Sequence, residues 1–135
     1  MKKIGILLVS ALFACQPENK EVVSEFTGNE TTYDLQTASD FSVSGAITFK
    51  ERKDGKITAV IQLNGTSGNS KHPVHLHRGD VTTANADVAL LLNPVQASTG
   101  RSETTFNMLS DETTITYAQL KNLEASIKIH LGDVG

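Results

Sequence analysis

Four histidines fall in two short segments, His72-Pro73-Val74-His75-Leu76-His77 and Ile127-Lys128-Ile129-His130-Leu131. In an extended strand His75 and His77 project to one face, and Val74 and Leu76 project to the other. The apolar pair belongs against a core, which turns the two imidazoles away from it. By the same alternation Ile127, Ile129 and Leu131 face inward, and His130 leaves the other side with Lys128. If the two strands are near neighbours, three imidazoles converge on the outer wall of a sheet. A His-x-His pair with a third imidazole suits copper or zinc, since both metals accept this borderline ligand. Each neutral ring gives one nitrogen to the metal and keeps the other for a partner that fixes its orientation. His72 has the opposite parity, and a structural role toward the core or the strand entrance is expected for it. Histidines also stand on strand surfaces without any ligand, so spacing alone leaves a metal site and plain surface imidazoles as alternatives.

The elements that must position these residues are strands. Phe41, Val43, Gly45, Ile47 and Phe49 alternate with Ser42, Ser44, Thr48 and Lys50, the signature of a half-buried strand. Asp54-Gly55 predicts a two-residue type I′ hairpin turn. Ile57, Ala59, Ile61 and Leu63 then alternate again, and residues 65–70 read as a loop. Val88 to Leu92 is a continuous apolar run, with Asn93-Pro94 expected to break it. Thr104, Phe106 and Met108 continue the strand pattern. Tyr117 to Leu123 predicts a short helix capped by Thr116, followed by a last strand at Ser126 to Leu131. Many short strands with one helical turn predict an all-β sandwich or barrel. A chain of 135 residues suits one domain with a real core.

The single cysteine forms no intramolecular bridge, and its place is informative. Lys2 and Lys3 precede an uncharged, mostly apolar run from Ile4 to Ala14. That run is too short for a membrane-spanning helix of about 20 residues, and it reads as a signal peptide. It ends at Leu12-Phe13-Ala14-Cys15 and turns polar at Gln16-Pro17-Glu18-Asn19-Lys20. This boundary resembles a bacterial lipobox, although Phe13 replaces the small residue usual there. The resemblance implies acylation of Cys15, anchoring in membrane lipid and a place in the bacterial cell envelope. The organisation expected is a lipoprotein signal peptide over residues 1–14, a lipidated cysteine with a flexible tether over 15–34, and the β domain over 35–135. The tether can contribute an edge strand near its end. Removing Lys2 and Lys3 makes the net charge of −3 more negative.

His72-x-x-His75-x-His77 followed by Arg78-Gly79-Asp80 resembles the copper-ligand strand of copper/zinc superoxide dismutases. Lys128-Ile129-His130-Leu131-Gly132-Asp133 is similar to the strand that carries the last copper histidine of that family. The hairpin from Gly45 to Gly65 resembles the first hairpin of the same enzymes. The Leu91-Leu92-Asn93-Pro94-Val95 segment and the short spacing to His130 resemble bacterial lipoproteins of the CHRD domain more closely. That module, with an H-I-H-type strand, occurs in chordin and in many exported bacterial proteins. The resemblance covers about Phe41 to Gly135. It implies a Greek-key fold, copper in preference to zinc at His75, His77 and His130, and His72 as a nearby structural histidine. The bridging histidine, the other zinc-site histidines and the disulfide of the dismutases have no counterpart here. The loop arginine and final strand of the dismutase pattern do not follow His130 before Gly135, which leaves a shortened chain or a different closure.

Three functions are consistent with these residues. The first is a copper-binding envelope module; the second is a superoxide dismutase-type enzyme with the same copper; the third is an interaction module without metal. Lys71, Arg78, Arg101 and Lys128 are candidates for a positive approach to an anion such as superoxide. Nucleic acid is not an expected partner, since no basic stripe appears. No nucleophile elbow or phosphate-cradling glycine loop is present, so hydrolase and nucleotide chemistries lack support.

Overall fold

The computed structural model describes residues 20–38 and 40–132. The expected cleavage boundary and Cys15 lie outside those residues. Seven antiparallel strands build one sheet: β1 (Phe26–Leu35), β2 (Ser44–Arg52), β3 (Ile57–Asn64), β4 (Lys71–Arg78), β5 (Val88–Gln96), β6 (Arg101–Phe106) and β7 (Ala125–Ile129). A short helix, α1 (Tyr117–Lys121), precedes β7. The strands lie side by side in the order β1-β2-β3-β6-β5-β4-β7 and curl into a half-barrel. Because β4, β5 and β6 run consecutively and β3 lies beside β6, the connectivity contains a Greek key. The all-β expectation therefore holds.

Period-2 alternation fills the inside of the curl. Ile47 and Phe49 from β2, Ile57, Ala59, Ile61 and Leu63 from β3, and Val74 and Leu76 from β4 are all buried. Ala89, Leu92 and Val95 from β5 and Phe106 from β6 complete the wall, and Leu109, Ile115, Tyr117 and Leu120 pack with them. Helix α1 starts at a capping box: the Thr116 side chain accepts from the Gln119 amide, and the Gln119 side chain accepts from the Thr116 amide. Its Tyr117 hydroxyl meets the Thr31 hydroxyl at 2.6 Å and ties the helix to β1.

Several local expectations differ from the structure. Phe41 and Leu131, read as core-facing strand positions, lie outside β2 and β7 and are 56% and 59% exposed, because β2 starts at Ser44 and β7 ends at Ile129. Arg52 N–H bonds to the Lys56 carbonyl, leaving Lys53, Asp54 and Gly55 as a three-residue loop rather than a two-residue type I′ turn. Only Gly55 of that loop has positive φ, at 83°, which is the pattern of a type I turn ending in a left-handed glycine. Asn93-Pro94 does not break β5, which runs on to Gln96. Between the pairs His72–Val95 and Val74–Leu92, Pro73 alone opposes Asn93 and Pro94. This bulge, beside a β6 that pairs with β5 only at Gln96–Arg101, is where a proline without an N–H fits in a sheet. The edge strand expected near the end of the tether is β1, which starts at Phe26 and pairs with β2 along most of its length.

The curl does not close. Strands β1 and β7 end the sheet on opposite sides, and between them opens a cavity of about 1010 Å³ lined by apolar side chains, including Leu35, Phe41, Val43, Ile127 and Ile129.

Candidate metal centre

The condition for convergence is met directly, because β7 is the hydrogen-bonded neighbour of β4. Their register pairs Val74 with Ile129, His75 with Lys128, Leu76 with Ile127 and His77 with Ser126, without a shift. Cross-strand partners share a face, so the apolar pairs turn into the curl and His75, His77, Lys128 and Ser126 turn outward. His130 N–H bonds to the Pro73 carbonyl at 2.9 Å and carries the pairing one step beyond the strand. The nearest possible ligand atoms of His75, His77 and His130 all lie within 4.8 Å of one another. His130 Nε2 is 3.1 Å from His75 Nδ1. Two imidazole nitrogens on one tetrahedral metal, with bonds of about 2.0–2.1 Å, stand about 3.3 Å apart. One pair is therefore already at ligand spacing, and His77 needs only a small approach.

The outward histidines are not equally exposed, which strand parity did not foresee. His77 is only 9% exposed, because the loop after β4 folds back over it. Gly79, with φ of 87°, turns the chain. Asp80 then accepts from the Thr82 amide and from the Thr82 and Thr83 hydroxyls. The loop returns with Arg78 N–H bonded to the Asp87 carbonyl. Thus Arg78-Gly79-Asp80 starts the cover of the site as well as the turn. His77 Nδ1 donates to the Ala86 carbonyl at 2.9 Å. A carbonyl only accepts, so this bond fixes a proton on Nδ1, and in the neutral ring Nε2 is then the free lone pair. Nε2 is buried and has no hydrogen-bond partner. A buried acceptor left unmade costs about 1–3 kcal/mol, and a metal ion is the partner that this lone pair fits.

His72 stands apart from the cluster. Its Nδ1 lies 3.1 Å from both the His130 and Leu131 carbonyls and donates to the end of β7. The ring lines the inner cavity, so it holds the backbone that presents His130. Of the four proposed cations, Arg78 pairs with Asp111 at 3.1 Å and Arg101 with Glu103 at 3.3 Å. Lys71 pairs with Gln96 at the opposite end of β4 from His77. Lys128 alone sits across from one of the three clustered histidines, His75. The Ala86 carbonyl and Ser126 carry no signal in the sequence, since one is backbone and the other is an ordinary strand serine.

Burial, and then the proximity of His130 and His77, push the His75 imidazole below its usual value. It is accordingly neutral and ready to bind metal near pH 7. A histidine depressed in the folded state takes up more protons when unfolded, so its contribution to stability is lost as pH falls below the ordinary value of about 6.5. Urea unfolding of the metal-free chain from pH 8 to pH 5 should show stability declining below that value, and His75→Gln should flatten the decline.

Comparison with protein-family models, curated proteins and solved structures found no match to this chain.

Proposed function

We propose that the protein is a CHRD-type β domain, exported and lipid-anchored through Cys15 in the bacterial envelope, which binds one copper ion through His75, His77 and His130. The observation that carries this reading is the buried, partnerless Nε2 of His77 beside two imidazoles already at ligand spacing. An all-imidazole set favours copper or zinc over hard cations. Copper when bound supplies one-electron redox chemistry. The chain's own residues orient the rings: Ala86 sets the tautomer of His77, and His72 fixes the strand end that carries His130.

Titration of the purified chain with Cu(II) and Zn(II) tests the proposal. One tightly held ion per chain, with copper bound more tightly than zinc, is the expected result. Absence of stoichiometric binding of either ion would overturn it. Superoxide consumption by the loaded chain above that of the same free copper would extend the reading to a dismutase-type enzyme.

A second reading, an interaction module, is favoured by the open cavity. Tyr33, Phe41, Val81 and Leu131 are exposed around it, and apolar surface of this kind marks binding faces.

A further inference from the structure

We infer that the slot between β1 and β7 binds a single-chain anionic amphiphile, a long-chain carboxylate, with its apolar chain inside the curl and its head at Lys121. This gives the binding reading of the cavity a ligand class and stands apart from the metal centre. A cavity of about 1010 Å³ is at the upper end of small-molecule pockets, which run about 300–1,000 Å³ and are mostly apolar with a few placed polar groups. Tyr33 and Leu35 of β1 and Ile127 and Ile129 of β7 form its two sides. Leu35, Ile127 and Ile129 remain only partly buried, so an apolar occupant removes further surface from water. Every strand pairing from β1 round to β7 is antiparallel, and the order of the sheet makes these two edges run in the same direction. The lining spans Thr31 to Leu35 on one edge and Ala125 to Ile129 on the other, about 13 Å along each strand. An extended, flexible chain matches apolar side chains spaced along two such edges.

Lys121 decides the charge of the head. The lysines and acids on the lining are Asp34, Lys121 and Lys128. Tyr33 pairs with buried Ile47, so the next residue, Asp34, turns to the outer face. Lys128 also turns outward, across from His75. Lys121 instead ends α1, and its ammonium stands 5.7 Å from the centre of the Tyr117 ring, whose hydroxyl meets that of Thr31. The cation therefore lies at the Thr31 end of the slot, exposed and in no ion pair among the described residues. A carboxylate beside it stays hydrated while the chain runs toward Phe41 and Leu131, the exposed apolar residues at the other end. A cationic head would meet Lys121 as a like charge.

Calorimetric titration tests this on the full chain carrying Cys15→Ser, so that no acyl group of its own competes. Octanoate, decanoate, dodecanoate and tetradecanoate, each below its micelle-forming concentration, should bind with affinity rising about fourfold for each methylene buried. Dodecanol should bind more weakly than dodecanoate. Lys121→Gln should remove that difference, weakening dodecanoate about two- to fivefold and leaving dodecanol unchanged. Tyr33→Asp puts a charge on the wall of the slot at a position already 47% exposed, and should weaken dodecanoate at least about tenfold. Leu91→Ser, on the outer face of β5 across from His75, should change nothing. His77→Ala should bind dodecanoate as its parent does, which separates the slot from the copper site. Affinity that does not rise with chain length, or a chain that binds copper and none of the four carboxylates, would overturn this inference and leave the metal centre standing. A dimer in light scattering that takes up no carboxylate would overturn it too, and would put a second copy in the slot.

Discussion

Replacing His77 with alanine is expected to lower Cu(II) affinity by at least about 100-fold. Removal of a partner that merely orients a ligand already costs about 10–100-fold, and His77 supplies a ligand atom. The buried Nε2 is held toward the cluster by the bond from Nδ1 to the Ala86 carbonyl, so no neighbouring side chain takes over its place. His75→Ala and His130→Ala should act similarly, because these two rings form the pair already 3.1 Å apart. The loss should also appear in stability. At a free copper concentration 100 times its dissociation constant, a ligand that binds only the folded state stabilises it by about 2.7 kcal/mol. Thermal unfolding with and without copper should show that gain in the unmodified chain and lose it in His77→Ala. A variant that keeps the full copper-dependent gain would remove His77 from the site.

Leu76→Ala is the complementary experiment on the other face of the same strand. Leu76 sits between His75 and His77, is 3% exposed, and packs in the interior of the curl opposite Ile127. Truncating a buried leucine removes its transfer energy and leaves a cavity, at a cost of about 2–5 kcal/mol. Urea unfolding of the metal-free chain should show a loss in that range. The protein that remains folded should bind copper with the same stoichiometry, because the outward face of β4 keeps its hydrogen-bonded register with β7. A stability loss well below 1 kcal/mol would mean that the strand is not packed as described.

Strand parity made the face of each histidine legible. Val74 and Leu76 are apolar and must be buried, so in an extended chain His75 and His77 turn the other way. The same rule places His130 with Lys128. Period alone does not encode which strands are neighbours, and the pairing of β4 with β7 brings together His75 and His130, which are 55 positions apart. Nor does it encode cover. The burial of His77 comes from a loop whose Ala86 acts through its carbonyl, which has no side-chain signature. Asn93-Pro94 misled because a proline's missing N–H matters only where a ladder needs it, and the bulge there removes the need. Asp54-Gly55 marked the hairpin correctly, but the register of Arg52 with Lys56 decided the loop length. The polar start of β1 looked like tether because Thr27, Asn29, Glu30 and Thr32 are exposed on an edge strand. Such a strand buries too few residues to show alternation.

The most direct test of the three-histidine centre is pulsed EPR on the Cu(II)-loaded chain, counting the imidazole nitrogens coupled to the copper. One copper per chain coupled to three imidazoles is the result predicted here, falling to two in His130→Ala. Coupling to one imidazole or none, or a spectrum unchanged by His130→Ala, would contradict the account.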